Sequence, residues 1–333
     1  MRLNLPPHVD PKHPVLLQEY AVFTPPVAEM AAKLGDWIEQ QQPGGYIHGP
    51  SRFGKSRGVK WHLRKILNER FAATLPLYIW VRPPDSHASE AGFWKSWMIA
   101  VNHRFAQTVR GASEWRTVFR EFLISAALSA GSTLIVLVVD EAQDMTVREW
   151  KWLLGLQNAL DWEGFRLSVF SVASHQMGYQ YELMGHADYA HVAARFMVAH
   201  WPFPGLCSQE ELAFVLQGYD TDSEWPHASG VSYLAHFAPE AHARGGRLAD
   251  SAGVFWRVLE AMLPDHYRGL PMFPMQHVAR TVEEILRRLA RRDDWEGVVS
   301  RNSWLDVLAL THFDDHMRLI SASMPATRRQ ATT

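Results

Sequence analysis

The chain has 333 residues, of which 47% are hydrophobic and 20% charged, with a formal net charge of −2. That length allows two domains with a sizeable core, and the charge balance excludes a wholly basic nucleic-acid coat, so any such surface has to be local. The single cysteine, Cys207, permits no internal disulfide and fits a reducing compartment.

Residues 1–20 read as an extended amino-terminal arm, polar and proline-rich at its start, without the apolar core of a signal peptide. No uninterrupted apolar stretch is long enough to span a bilayer, so a cytoplasmic protein without membrane contact is expected. Val27, Met30, Ala31, Leu34 and Ile38 recur at helical spacing and predict a helix over 25–41, ended by Pro43-Gly44-Gly45. A short strand, Gly44-Gly45-Tyr46-Ile47-His48, follows.

Next comes Gly49-Pro50-Ser51-Arg52-Phe53-Gly54-Lys55-Ser56, which matches the phosphate-loop pattern G-x-x-x-x-G-K-[ST]. Its glycines let consecutive N–H groups converge on one anion. Lys55 would reach the outer phosphates of ATP, and the Ser56 hydroxyl would hold Mg²⁺. The pattern needs a strand before it and a helix after it. Val59, Trp61, Leu63, Ile66 and Leu67 among Lys60, Arg64 and Lys65 supply the helix.

A second strand reads over Leu75–Val81, with Pro76 favouring an edge or entry position. Helices are expected at about 90–108 and 113–130. Leu134–Val139 is a continuous β-branched apolar run, as in a strand buried on both faces of a parallel sheet. It ends in Asp140-Glu141-Ala142-Gln143. Carboxylates at the carboxyl end of a central strand sit where ligands bind in open α/β sheets. Asp140 would hold Mg²⁺ opposite Ser56, and Glu141 would deprotonate the attacking water. The same acidic pair could instead cap the following helix, at 147–160. A fourth strand, Arg166–Ala173, closes on Ser174-His175-Gln176.

Pro202-Phe203-Pro204-Gly205 marks a boundary, after which helices are expected at about 208–217, 230–242, 247–263, 274–292 and 302–320. The chain therefore reads as α/β, with a P-loop core over 21–205, a helical region over 206–320 and a mobile tail over 321–333.

The order of phosphate loop, second strand, Asp-Glu strand, polar-tipped strand, Arg-Phe and helical lid resembles the AAA+ ATPases. Within them, the wording of residues 49–56 and 140–143 is most similar to the TniB/TnsC group of transposition ATPases. The resemblance spans roughly residues 20–290. It implies a parallel-sheet core with a helical lid, ATP hydrolysis with Mg²⁺, and self-assembly into a ring or helical filament. It further implies contact with duplex DNA, and recruitment of a transposase alongside a target-selection protein. Three more positions follow from it. Ser174 matches the sensor-1 place, or else is a strand-end serine capping the next helix. Arg195, in Ala194-Arg195-Phe196, matches the arginine finger that completes a neighbouring subunit's site, or else is a surface ion-pair residue. Arg247 lies near the expected sensor-2 helix but matches the pattern poorly.

DNA contact, mainly to the backbone, has two candidate faces. One is Arg280, Arg287, Arg288, Arg291 and Arg292 on the helix near 278–292. The other is Lys60, Arg64 and Lys65. Both could equally be solvated faces. A different reading of the same core motifs is a signalling or defence ATPase that switches conformation without DNA.

Overall fold

The computed structural model describes residues 6–71, 75–84, 89–108, 110–186, 188–267, 269–292 and 294–323. By internal contacts the chain forms two compact units. A sheet unit holds Pro26–Ser51 and Lys55–Phe203, and a helical unit holds the other described residues, including Arg52–Gly54.

The sheet unit is built on five parallel strands: β1 Gly44–His48, β2 Leu77–Val81, β3 Leu134–Asp140, β4 Arg166–Ala173 and β5 His200–Pro202. Their order is β2-β3-β4-β1-β5. β3 lies inside the sheet between β2 and β4, and Ile135 to Val139 are buried throughout, as strands covered on both faces must be. β2 lies at the sheet edge, as Pro76 just before it suggested. β5 went unread in the sequence. Three residues ending in a proline give no alternation, yet Tyr46, Ile47 and His48 of β1 pair with His200, Trp201 and Pro202. The chain is thus α/β as expected, a parallel sheet in the order 2-3-4-1-5 with a helical region after it.

Large aromatics fill the sheet unit. Trp94, Trp97, Trp115 and Trp150 are wholly buried, and Trp80 stacks on Trp97 with ring centres 5.1 Å apart. The helix expected over 90–108 stops sooner, at Glu90–Ala100. Asn102 takes a left-handed conformation there (φ 51°), and the His103 N–H returns to the Met98 carbonyl. That is a Schellman-type stop, to which asparagine is well suited. The helix Val147–Trp162 starts from a capping box, Thr146 with Glu149. Glu149 also meets Arg82 at 3.3 Å, with both side chains almost wholly out of water (1% and 2% exposed).

The helical unit differs from expectation in its breaks. The 230–242 segment is two short helices, Tyr233–Phe237 and Pro239–Ala243, because Pro239 cannot continue the first. The 302–320 segment splits into Arg301–Ala309 and Phe313–Ser323 around a left-handed His312. The 247–263 segment opens with a 3₁₀ turn, Leu248–Ser251, before Ala252–Ala261. Asp220 holds that turn by accepting from the Leu248 and Ala249 N–H groups, each at 2.9 Å. The long helix Met275–Arg291 buries Val278, Val282, Ile285, Leu286 and Leu289, the stripe read from the sequence. Of residues 1–20, read as an extended arm, those described from position 6 include a one-turn helix, Pro14–Leu17, and bury Val9, Val15 and Tyr20. The tail expected to be mobile lies outside the described residues from position 324 onward. No helix among the described residues is long and apolar enough to cross a membrane.

Removing one member of a buried ion pair strands the other charge in low dielectric. Glu149→Ala is therefore expected to lower stability by about 3–5 kcal/mol, read as a shift in the urea midpoint, and Glu149→Leu with Arg82→Met to recover most of it.

Candidate nucleotide site

Parallel register brings the carboxyl ends of β1 and β3 to the same edge of the sheet, and the loop leaves β1 there. Its first glycine has no alternative. A Cβ at Gly49 would lie 2.5 Å from the Phe203 carbonyl oxygen, so the chain passes there only without a side chain. Gly54 has φ 109°, a conformation that L side chains rarely adopt. Pro50 and the exposed Ser51 complete the start of the loop. Arg52 is exposed and left-handed (φ 68°), and its carbonyl accepts from the Gln276 N–H at 3.1 Å inside the helical unit. Phe53 is buried in that unit as well. It lies against Gly205, where a Cβ would approach its ring to 2.4 Å. The side chain of Phe53 is thus a packing element.

Lys55 opens the helix after the loop. Its ammonium is buried and donates to the Gly49 and Pro50 carbonyls at 2.8 and 2.6 Å. Burial pushes its pKa down to about 8, while Glu141 and Asp140 pull it back up. Asp140 is buried at the end of β3, and burial raises its pKa. A hydrogen bond from Ser56 opposes that rise. Ser56 and Asp140 are thus already in contact across two elements. They present a hydroxyl and a carboxylate, the hard oxygen donors that Mg²⁺ prefers to bind through a few protein groups and water.

Glu141 follows in a left-handed conformation (φ 57°, ψ 37°) and is exposed. Non-glycine residues held there are uncommon, and they concentrate at functional sites. Gln143, to which the sequence reading assigned no role, bridges Glu141 to Ser174 at the end of β4. Its Nε2 donates to Glu141 Oε2 at 2.6 Å, and its Oε1 accepts from the Ser174 N–H at 2.9 Å. The residue stood in plain view within the Asp-Glu-Ala-Gln run. Only the fold shows that its amide reaches a neighbouring strand. Ser174 itself caps the next turn through Oγ to the Gln176 N–H at 3.3 Å.

Lys55, Ser56, Asp140, Glu141 and Ser174 therefore gather at one end of the sheet. Arg195 does not join them. It is exposed in the last turn of Ala190–Phe196, 3.5 Å from Asn158 Oδ1. A Cβ at Gly44 would meet its carbonyl oxygen at 2.9 Å, which places it where β1 begins, about 13 Å of strand from the loop. Arg247 belongs to the helical unit, where its guanidinium donates to the His242 and Gly246 carbonyls at 3.0 and 2.7 Å.

No protein-family model matches the chain, and no curated protein matches it in sequence. Solved structures resemble it at low identity. The Aeropyrum pernix ORC2 protein, in ADPNP-ADP complexes, is 15% identical, with 86% of this chain and 72% of that one covered and a TM-score of 0.47. The Aeropyrum pernix ORC1 protein in complex with DNA is 14% identical over 95% of this chain and all of that one, with a TM-score of 0.44. PCH-2 of C. elegans is 11% identical over 86% and 68%, with a TM-score of 0.39. Likeness of this degree concerns the course of the chain and assigns no activity.

A triphosphate favours charged Lys55, so nucleotide binding takes up a proton once free Lys55 has lost its own. Affinity for a fluorescent ATP analogue is expected to be roughly constant below pH 7 and to weaken as pH rises through about 8. Lys55→Arg, whose charge persists at every accessible pH, should flatten that dependence in the same titration.

Proposed function

We propose that this chain is an oligomeric, DNA-dependent AAA+ ATPase that marks target DNA and recruits or activates a transposase. The observation that carries the ATPase part is the meeting of Lys55, Ser56, Asp140 and Glu141 at the carboxyl edge of the sheet. The transposition part rests on the wording of Gly49–Ser56 and Asp140–Gln143, which is similar to the TniB/TnsC group.

In this reading the loop's N–H groups and Lys55 hold the β- and γ-phosphates of ATP. Ser56 and Asp140 would hold Mg²⁺, which supplies neutralisation of charge on the phosphate oxygens when bound. Glu141 accepts a proton from water as the water oxygen bonds to the γ-phosphorus. The bond from that phosphorus to the β–γ bridging oxygen breaks, giving ADP and inorganic phosphate. Two carboxylates in sequence, one buried and one exposed, support hydrolysis over mere binding. Arg195, at the far end of β1 from its own loop, fits a finger offered to a second subunit, and that role requires assembly.

Of the two candidate DNA faces, the geometry favours Lys60, Arg64 and Lys65. The helix after the loop runs Lys55–Gly58, a π-type turn Val59–Leu63, then Arg64–Arg70. Lys60, Trp61, Arg64, Lys65 and Asn68 line one open groove of about 610 Å³, with Ile79 of β2 beneath. The acid beside them, Glu69, faces Lys65 at 3.9 Å. On Met275–Arg291, by contrast, Arg280 pairs with Glu283, and Arg287 and Arg288 share Glu284. Those three arginines are largely neutralised within their own helix.

Three measurements test the reading. Lys55→Ala should lose nucleotide binding and DNA assembly, whereas Glu141→Gln keeps both and stalls turnover; unchanged hydrolysis in Glu141→Gln removes that residue from the role. Duplex DNA should stimulate turnover, and indifference to DNA would favour the signalling alternative. Lys60→Ala with Arg64→Ala should flatten the slope of log affinity for DNA against log salt by about 0.9 for each phosphate no longer neutralised.

A further inference from the structure

Gln143 occupies the short 3₁₀ turn Ala142–Asp144 that follows β3. Its side chain spans two elements, with the amide nitrogen on the Glu141 carboxylate and the amide oxygen on the Ser174 main chain. Oxygen and nitrogen of a glutamine amide look alike, but here chemistry distinguishes them. A peptide N–H can only donate, so the atom facing Ser174 is the oxygen. The NH₂ group is then left to face a carboxylate, which can only accept. The turn itself is anchored from the other side, where Gln180 Nε2 donates to the Gln143 and Met145 carbonyls.

The consequence is specific to Glu141. An exposed glutamate has several side-chain torsions and no intrinsic reason to aim at one place. Its left-handed backbone fixes where the side chain starts, and the Gln143 amide fixes where the carboxylate ends. Because the same amide is held by Ser174, the carboxylate takes its position from the tip of β4, a different strand from the one that carries it.

We infer that Gln143 is a positioning residue for hydrolysis: it holds the Glu141 carboxylate in register with the end of β4, so turnover depends on it and nucleotide binding does not. The inference rests on the reading of Glu141 as the base.

Two substitutions separate positioning from plain structural support. Gln143→Glu keeps length and keeps an acceptor for the Ser174 N–H, but sets a second carboxylate against Glu141. Gln143→Met removes both hydrogen bonds at similar volume. Positioning predicts that both variants bind a fluorescent ATP analogue within about twofold of wild type, with KM little changed, while kcat falls about tenfold to a hundredfold. In a Glu141→Gln background, Gln143→Met should cause no further drop, because a residue that acts through another is silent once that other is gone. Wild-type turnover in Gln143→Glu, or effects that add in the double variant, overturns the inference. If Glu141→Gln stalls while both Gln143 variants turn over normally, the inference alone fails and the ATPase reading stands. If Glu141→Gln itself turns over at the wild-type rate, the base assignment falls and the positioning role falls with it.

Discussion

A lysine ammonium and an aspartate carboxylate, both withdrawn from water at one edge of a sheet, govern the chemistry open to this molecule. Desolvation disfavours each charge by itself, as the lowered pKa of Lys55 and the raised pKa of Asp140 record. The fold meets that cost with local partners: loop carbonyls for Lys55, and the Ser56 hydroxyl and a neighbouring N–H for Asp140. None of these partners neutralises a charge as a polyphosphate or a divalent cation would. Lys55 and Asp140 offset each other in part, and on the proposed reading a polyphosphate and a divalent cation would find both groups already in place.

Parallel strand order makes this possible. Loop and acids come from segments some ninety residues apart, yet β1 and β3 both flank β4 and point the same way. Placing the reactive ends together needs no contact between the two segments themselves. It needs only the β-branched run of β3 to be buried on both faces and the crossover connections to be of one hand. The same geometry puts Arg195 at the opposite end of β1, so this arginine and the loop Gly49–Ser56 of one chain are held apart by the length of a strand.

What could be read from sequence follows a physical line. The strand and helix on either side of Gly49–Ser56, the β3 run and the amphipathic helix Met275–Arg291 carry their signals within a few turns of chain, and all three were legible. β5 was not, because a three-residue strand ending in Pro202 owes its existence to the partner strand beside it. The breaks at Asn102 and His312 depend on single left-handed residues inside otherwise helical patterns, which periodicity averages away. The bridge made by Gln143 was hidden for another reason: its two partners are two and thirty-one positions away, and only the sheet brings the distant one within reach. Arg280, Arg287 and Arg288 read along the chain as one arginine-rich helix face with Glu284 within it, and their pairing with Glu283 and Glu284 follows the i,i+3 and i,i+4 spacing of that helix.

Phe53 gives the phosphate loop an unusual dependence. The crown of the loop, Arg52–Gly54, is seated among residues of the helical unit, while the strand before it and the helix after it belong to the sheet unit. A gene fragment ending near Phe203 would encode every strand of the sheet together with Asp140 and Glu141, yet it would leave a bulky ring without its socket at Gly205. The stretch that carries the sequence motifs is thus shorter than the stretch needed to seat the loop between them.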